Sequence, residues 1–378
     1  MANDRRDVIV VGGGIIGCLT AYFLSKQGVS TALLEADAVG SHASGFAFGE
    51  MGALEGAGIP DPLLEFSLWS MSRHHSLAIE LKEVSGVDNQ FQFGDRLKLA
   101  FNETEASSYR KQLEWQQKVK ELDVSWLNPD EVVKVEPQAN PECLGGVHVQ
   151  RAGSVEPYRH NLAAAQSAEK LGTEILSRRV AGLLTEGDRC LGVTFQEGQR
   201  EGRMEAGVVV LAMGPWSDQA ASWCGVEIPV TPLKGQILRL RETSKPIRTS
   251  LHYGGSYVVT KPDGLTWAGT TEEEVGFDEE VTSQARDKIM KDLLMMAPAL
   301  VGAELVQQTA CLRPLSADGL PIVGQVPGWR NLYVGTGAGR KGILWSTGMS
   351  QGLAELILEG SSKVPGLEAL DPARFQRD

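Results

Sequence analysis

The chain has 378 residues, of which 42% are hydrophobic and 22% are charged, which predicts one large or two interleaved domains with substantial cores. The formal net charge of -12 argues against nucleic-acid binding by bulk electrostatics and against a polybasic membrane anchor. The five cysteines form no Cys-x-x-Cys pair and the histidines show no metal-ligand spacing. We therefore expect reduced thiols, no metal site, no transmembrane segment and a cytoplasmic location.

The first predicted elements are a strand, a glycine turn and a helix over residues 7–24, followed by a strand that ends at Glu35. Gly12 permits a tight turn, Gly14 lets the backbone approach phosphates, and Gly17 lets the helix pack closely on the sheet. The helix N-terminus offers N–H groups to a pyrophosphate, and Glu35 lies where an acidic residue accepts ribose hydroxyls. This order predicts dinucleotide binding. The mixed charges before the apolar run and its interrupting glycines argue against a signal peptide.

The segment after Glu35, residues 39–49, is rich in glycine and hydroxyl side chains, which suits a backbone that wraps a ligand; an ordinary flexible loop is the alternative. Hydrophobic periodicity then predicts helices at 62–81, 103–122, 159–171, 283–296 and 342–358, with a short capped helix from Asn128.

Strands are predicted at 93–101, 174–180, 190–195, 207–214, 231–241, 256–260, 266–270 and 307–313, and another from 331. The run 207–214 is typical of a buried parallel strand that returns to the nucleotide-binding sheet. The later strands indicate a separate mixed or antiparallel sheet. The predicted fold class is therefore α/β (α+β overall), with a discontinuous nucleotide-binding domain (1–82, 151–220 and 325–378) and a second domain inserted twice (83–150 and 221–324).

Five motifs, at residues 10–17, 41–44, 211–217, 311–324 and 335–343, together resemble the D-amino-acid oxidase-like superfamily of flavoproteins. The chain is most similar to the glycine oxidase branch, with sarcosine oxidases and D-amino-acid dehydrogenases as relatives. The resemblance implies a Rossmann-like domain that binds FAD without a covalent link. The positions implied to bind FAD are Gly12, Gly14, Ile15, Ile16, Gly17, Glu35, Ala36, Ser41, His42, Ala43, Ser44, Val180, Ala212, Gly214, Trp216, Arg313, Gly339, Arg340, Lys341, Gly342 and Ile343.

The substrate end centres on Arg313, which lies in a strand-like run and is expected to be partly buried beside an anionic partner. The resemblance implies that Arg313 binds the substrate carboxylate and that the Tyr257 hydroxyl supports it. It also places Arg340 near the flavin edge and Met51 in a hydrophobic wall. The alternatives are an internal salt bridge for Arg313, sheet packing for Tyr257, a surface role for Arg340 and core packing for Met51.

The implied reaction is oxidation of the C–N bond of a small amino acid or secondary amine by hydride transfer to flavin N5. It gives an imino acid that hydrolyses to a 2-oxo acid, with oxygen as the expected acceptor. A dehydrogenase that passes electrons to a quinone or carrier, a 2-hydroxy-acid or glycerophosphate dehydrogenase, and a non-catalytic flavin-binding subunit remain open, as does a homo-oligomeric state. Cys311 stands where sarcosine oxidases attach flavin, so a covalent link there is a further alternative.

Overall fold

The structure is a computed structural model that describes residues 5–55, 59–60, 62–242 and 245–376. The chain divides into two compact units. The first comprises residues 1–91, 155–233 and 312–378, and the second comprises residues 92–154 and 234–311. The predicted domain limits differ from this division by up to 13 residues, because 221–233 and 312–324 belong to the first unit. Within the described ranges, no helix combines the length and hydropathy needed to cross a membrane.

The helices run as follows: α1 (Ile15–Lys26), α2 (Ala43–Phe46), α3 (Leu64–Ser85), α4 (Glu103–Gln116), α5 (Pro129–Val135), α6 (Pro157–Lys170), α7 (Ala221–Cys224), α8 (Ser283–Met296) and α9 (Gly342–Glu359). The strands are β1 (Arg6–Val11), β2 (Thr31–Glu35), β3 (Glu50–Met51), β4 (Gln92–Ala100), β5 (Val124–Leu127), β6 (Gly145–Ser154), β7 (Glu174–Ser177), β8 (Arg179–Glu186), β9 (Arg189–Glu197), β10 (Arg200–Leu211), β11 (Val230–Arg241), β12 (Ser250–Tyr253), β13 (Ser256–Thr260), β14 (Thr266–Gly269), β15 (Glu304–Ser316), β16 (Ile322–Gln325) and β17 (Leu332–Thr336).

The first unit is built on a sheet of order β16–β17–β10–β1–β2–β7. Strands β17, β10, β1, β2 and β7 are parallel to one another, whereas β16 is antiparallel to β17 and β9 is antiparallel to β10. The central strands β1 and β2 are buried over Val8–Val11 and Thr31–Leu34, which explains their continuous apolar sequences. The predicted return of residues 207–214 to this sheet is confirmed, because Val208–Leu211 pair with Val8–Val11.

One face of this sheet is covered by α1, α3, α6 and α9. Their apolar residues form a buried cluster that includes Leu19 and Tyr22 of α1, Phe66 of α3 and Trp345 of α9. Small residues on α6, among them Ala163 and Ala164, let that helix pack closely in the same cluster. This packing fixes the start of α1 at the edge of the sheet where the glycine turn lies.

The second unit is built on a sheet of order β15–β11–β14–β13–β12–β4–β6, with β5 paired to β6. The described pairings are antiparallel except for β12 with β4, so this is the mixed sheet that the later strand patterns predict. Helix α8 covers one face through Ile289 and Leu293, which join the cluster formed by Leu97, Leu251 and Val258.

Several element predictions need correction. The helix predicted to run to Leu122 ends at Gln116, where the chain turns. Val119 and Leu122 are buried beyond that turn, so the apolar spacing continues past the end of the helix and made the prediction too long. The run predicted as one strand over 174–180 is two strands, which separate at Arg178. Strands β3, β5, β6, β12 and β16 were not predicted, whereas the 283–296 helix is confirmed.

Candidate cofactor and substrate site

The glycine turn between β1 and α1 has no room for side chains at two positions. Gly12 has φ +110°, and a Cβ there would lie 2.2 Å from the carbonyl oxygen of Ala212. A Cβ on Gly17 would lie 1.9 Å from the carbonyl oxygen of Gly12. The turn therefore needs glycine for both its backbone conformation and its close packing, as the sequence predicts. Gly14 precedes the first residue of α1, so the first N–H groups of this helix have no partner within the helix.

Glu35 ends β2 directly beside this turn. Its Oε2 accepts a hydrogen bond from the Gly13 N–H at 2.5 Å, and its Oε1 accepts one from the Asp37 N–H at 2.8 Å. The backbone of Arg178 donates to the Glu35 carbonyl oxygen at 2.8 Å, which brings the crossing from β7 to β8, and with it the half-buried Val180, to this strand end. The carboxylate is thus held in place at the position expected for a ribose contact.

The carbonyl oxygen of Gly13 accepts three hydrogen bonds that the sequence did not predict. It accepts hydrogen bonds from the Gly40 N–H at 3.1 Å, from Asn161 Nδ2 at 3.1 Å and from Cys18 Sγ at 3.3 Å. Asn161 lies on α6, far away in the chain, and nothing in its sequence context indicates this contact. Burial raises the pKa of the Cys18 thiol to about 12, so this cysteine is an inert packing group.

The small-residue loop lies against the start of α1. Ser44 Oγ accepts a hydrogen bond from the Ile15 N–H at 2.9 Å, and His42 Nε2 lies 2.9 Å from Asp37 Oδ2. The rings of His42 and Trp216 meet edge to face with centroids 4.7 Å apart. Ser41 Oγ is buried and has no hydrogen-bond partner among the described residues. A buried hydroxyl in this position fits a phosphate oxygen as its missing acceptor.

The ends of two neighbouring strands complete the sheet edge. The Ala212 N–H donates to the Val11 carbonyl oxygen at 2.8 Å, and Gly214 follows with φ +54°. Ser217 Oγ lies 2.7 Å from Thr336 Oγ1 and also bonds the Gly214 carbonyl at 2.7 Å, so β10 and β17 end side by side. Ligands of open α/β sheets bind at such carboxyl ends.

The turn at 339–343 leads into α9. Gly339 has φ +48°, and Lys341 Nζ donates to the Gly52 carbonyl oxygen at 2.8 Å, which ties this turn to the loop after Met51. Met51 is fully buried, whereas Arg340 is exposed. The free N–H groups at the start of α9 are suited to an anionic group, and the site roles of these residues stay predictions.

The two predicted carboxylate-binding residues lie in different units. Arg313 is half-buried on β15 within the first unit, as expected for a strand arginine, and Cys311 precedes it as a buried thiol of the second unit. Tyr257 is half-buried on β13 of the second unit, where it pairs with His252 on one side and Gly269 on the other. No group of three or more potential metal ligands occurs in the part of the chain that the structure describes.

The site defines a dinucleotide-binding protein of the Rossmann type. Its features are a glycine turn with no space for side chains, the fixed carboxylate of Glu35 at the end of β2 and the buried Ser41 hydroxyl that has no partner among the described residues. The sequence matches the DAO family, described as FAD dependent oxidoreductase, over residues 7–356. The chain therefore belongs to the DAO family of FAD-dependent oxidoreductases, and its cofactor is FAD. The predicted superfamily, fold class and cofactor are confirmed.

Individual relatives support this assignment along the whole chain. The chain is 30% identical over 373 residues to a glycine oxidase of Bacillus licheniformis, which covers 98% of each chain. The crystal structure of glycine oxidase from Geobacillus kaustophilus is similar with a TM-score of 0.92 and 27% identity, over 99% of this chain and all of that one. The hydrogen cyanide synthase subunit HcnC of Pseudomonas protegens is 27% identical, over 90% of this chain and 89% of that protein.

Proposed function

We propose that the protein oxidises the C–N bond of a small amino acid or secondary amine and gives an imino acid that water hydrolyses to a 2-oxo acid. The observation that carries the proposal is the full-length similarity to glycine oxidase. FAD, when bound, supplies the acceptor for the hydride equivalent that leaves the substrate carbon. The protein's own residues then need only bind and orient the substrate and fix charge around it.

Arg313 is proposed to bind the substrate carboxylate, because its planar guanidinium can donate two parallel hydrogen bonds to a carboxylate. The Tyr257 hydroxyl is proposed to donate a hydrogen bond to the same carboxylate. The N–H groups at the start of α9, after the turn at 339–341, are proposed to stabilise negative charge on the bound cofactor. Met51 is proposed to form part of a hydrophobic wall of the substrate site. Arg340 is proposed to place a positive charge near the flavin edge.

The direct test is an anaerobic screen of the FAD-loaded protein with amino acids and N-methyl amines, in which loss of flavin absorbance reports substrate oxidation. Bleaching by at least one small amino acid or amine supports the proposal. A protein that holds FAD and is bleached by none of these compounds is a flavin-binding subunit or acts on hydroxy acids, and the proposal is then wrong.

The Arg313→Ala variant tests the carboxylate clamp. It should retain FAD yet lose about 2–5 kcal/mol of transition-state binding, measured from kcat/KM. Arg330→Ala is the matched control, because Arg330 forms an exposed ion pair with Asp188 at 2.7 Å and lies outside the proposed site. A double-mutant cycle with Tyr257→Phe then measures whether the two side chains act on one substrate group.

Oxygen is proposed as the electron acceptor, with a quinone or carrier protein as the alternative. Stoichiometric peroxide formation during turnover supports oxygen, and turnover only with an added quinone or dye supports the alternative.

We also propose that FAD is bound without a covalent link and that the protein works in the cytoplasm. Acid precipitation should release the yellow cofactor into the supernatant. If the colour stays with the pellet and is lost in Cys311→Ser, a covalent link at Cys311 is the correct assignment.

A further inference from the structure

Helix α3 meets the start of α9 through buried hydrogen bonds within a contact that is otherwise largely apolar. His74 Nε2 lies 3.0 Å from the Leu344 carbonyl oxygen, and Trp345 Nε1 donates to Ser67 Oγ at 2.8 Å. His74 and Ser67 are fully buried and lie two turns apart on α3. Both bonds reach residues just after Gly342, where α9 begins. Helix α3 therefore holds the first turn of α9 by two separate polar contacts.

The next turn of α9 lies equally close to α3. Thr347 Oγ1 donates to the Ser70 carbonyl oxygen at 2.9 Å. A Cβ on Gly348 would lie 2.4 Å from Ser70 Oγ and 2.7 Å from the ring of Phe66. Apolar side chains alone allow packed helices to slide or rotate by small amounts, whereas satisfied buried hydrogen bonds between them require one register. These contacts therefore fix where the start of α9 lies in the first unit.

The hydrogen-bonding state of His74 follows from its surroundings. Burial lowers the pKa of His74 to about 4, so the imidazole is neutral at pH 7. Because a carbonyl oxygen only accepts hydrogen bonds, the neutral ring carries its proton on Nε2, which faces Leu344. The Nδ1 atom is buried and has no partner among the described residues. An unpaired buried nitrogen costs stability, so the Nε2 contact, and not core packing, is what this histidine supplies.

We propose that His74 is a positioning residue for the bound cofactor: it holds the first turn of α9 where the N–H groups of that turn stabilise negative charge on reduced FAD. The inference rests on the proposed function, which assigns the start of α9 to that charge. A helix N-terminus acts on an anion over a short distance. Displacement of the Gly342 end of α9 therefore weakens the binding of reduced FAD more than that of oxidised FAD, which lowers the midpoint potential of the cofactor.

The test uses three single variants of the full chain loaded with FAD. His74→Leu removes the donor to Leu344, whereas His74→Gln keeps one, because the glutamine amide also carries N–H groups. His75→Leu is the matched control, since His75 is the next residue on α3, is exposed and has its ring against Phe91. The midpoint potential of the flavin is measured against reference dyes without any substrate. Titration of the apoprotein gives the affinity for oxidised FAD.

In His74→Leu, the affinity for reduced FAD should fall about tenfold relative to that for oxidised FAD, which lowers the midpoint potential by about 30 mV. His74→Gln should recover most of this shift, and His75→Leu should keep the wild-type potential. Hydrogen exchange followed by mass spectrometry should become faster over residues 342–347 in His74→Leu but not in His75→Leu. Oxidised FAD should bind to all three variants within about threefold of the wild-type affinity.

Three results overturn the inference. An unchanged potential with unchanged exchange in His74→Leu means that His74 does not position α9. An unchanged potential with faster exchange means that the start of α9 does not act on the flavin charge, and this part of the proposed function then fails as well. An equal loss of potential in His74→Gln and His74→Leu assigns the effect to packing and not to the hydrogen bond. None of these results bears on amine oxidation, which the anaerobic substrate screen tests by itself.

A second variant decides if His74→Leu does not fold. Ser67→Ala removes the acceptor of Trp345 Nε1 and should lower the midpoint potential in the same direction. Ser72→Ala is its control, because Ser72 is exposed on the same helix and donates to the Trp69 carbonyl oxygen. An FAD-loaded Ser67→Ala protein with the wild-type potential overturns the inference.

Discussion

The two units of this chain are proposed to contribute to recognition by different means. In the first unit, the candidate cofactor site consists mainly of backbone: glycines with no space for a Cβ, the first N–H groups of α1 and strand ends side by side. In the second unit, the polar face near Tyr257 consists of side chains on neighbouring strands, placed by register. Backbone recognition tolerates almost no change of residue type at its glycines, whereas a sheet face can change its chemistry at one position and keep its fold.

This difference explains why a fold can keep one cofactor and accept several substrates. The glycine turn is enforced by packing between β1, α1 and β10, so a side chain there disturbs the sheet itself. Tyr257 follows a different rule, because it alternates along β13 with the core residue Val258 and lies outside the core cluster. The predictions below contrast these two situations, from the largest expected effect to the smallest.

The largest effect is expected from Gly12→Ala. The new Cβ would lie 2.2 Å from the Ala212 carbonyl oxygen at φ +110°, so backbone must move and the sheet edge must open. We expect a loss of at least about 3 kcal/mol in the free energy of unfolding and no measurable FAD binding. Differential scanning calorimetry and equilibrium dialysis with FAD measure both.

Gly28→Ala is the matched control for this substitution. Gly28 has a comparable positive φ of +79°, but a Cβ there meets no atom within 4 Å. It should cost only about 1 kcal/mol and leave FAD binding unchanged. If both variants bind FAD alike, steric closure of the turn is not what the glycine provides.

A pH effect should be confined to the first unit. Burial lowers the pKa of His74 to about 4 and that of His160 to about 3, whereas both titrate near 6.5 when unfolded. The unfolded chain therefore binds more protons between these values, so stability falls as the pH drops from about 6.5 towards 4 and is constant above 7. The free energy of unfolding is expected to fall by a few kcal/mol in total over this pH range.

Hydrogen exchange followed by mass spectrometry at pH 7 and pH 4.5 locates this effect. Peptides from α3 and α6 should lose protection on acidification before those from β12 and β13. The double variant His74→Gln, His160→Gln should reduce the difference, while His75→Gln, on the same helix, should leave it as it is. Equal acid sensitivity in the double variant contradicts the assignment to this pair.

In the second unit, Gly269→Ala should act on substrate and not on cofactor. A Cβ there would lie 3.0 Å from the ring of Tyr257 and 3.1 Å from Ile237, so the tyrosine must shift by a few tenths of an ångström. We expect the KM of the best substrate to rise about tenfold, a cost of about 1–3 kcal/mol for overpacking, with FAD affinity unchanged.

Gly94→Ala serves as the control, because Gly94 lies on β4 of the same unit and a Cβ there meets nothing within 4 Å. It should change neither KM nor FAD affinity. A fall in FAD affinity in Gly269→Ala would contradict the assignment of Tyr257 to the substrate alone.

The features that depend on local backbone could be predicted from the sequence, and those that depend on distant side chains could not. The glycine turn, Glu35 and the return of residues 207–214 follow from local patterns, because glycine spacing and apolar runs are tied directly to backbone geometry. Asn161 and Arg96 could not be found in this way, since their partners Gly13 and His252 are more than 140 residues away in the chain. Helix packing brings Asn161 to Gly13 and strand register brings Arg96 to His252, and a single sequence specifies neither.

The smallest effect is expected from Ser41→Ala. This substitution should leave the stability of the FAD-free protein unchanged or slightly higher, whereas it should weaken FAD binding. Ser41 Oγ is buried without a hydrogen-bond partner among the described residues, so its removal should leave the FAD-free protein as stable or slightly more stable. FAD affinity should nevertheless fall by about 0.5–1.5 kcal/mol, because the hydroxyl is then missing from a phosphate contact.

Ser44→Ala gives the contrasting result. Ser44 Oγ accepts the Ile15 N–H at 2.9 Å, so its loss should destabilise the protein by about 1 kcal/mol whether or not FAD is added. Thermal unfolding of both variants with and without FAD separates the two roles. If Ser41→Ala destabilises the FAD-free protein as Ser44→Ala does, the Ser41 hydroxyl is part of the fold and not a contact reserved for the cofactor.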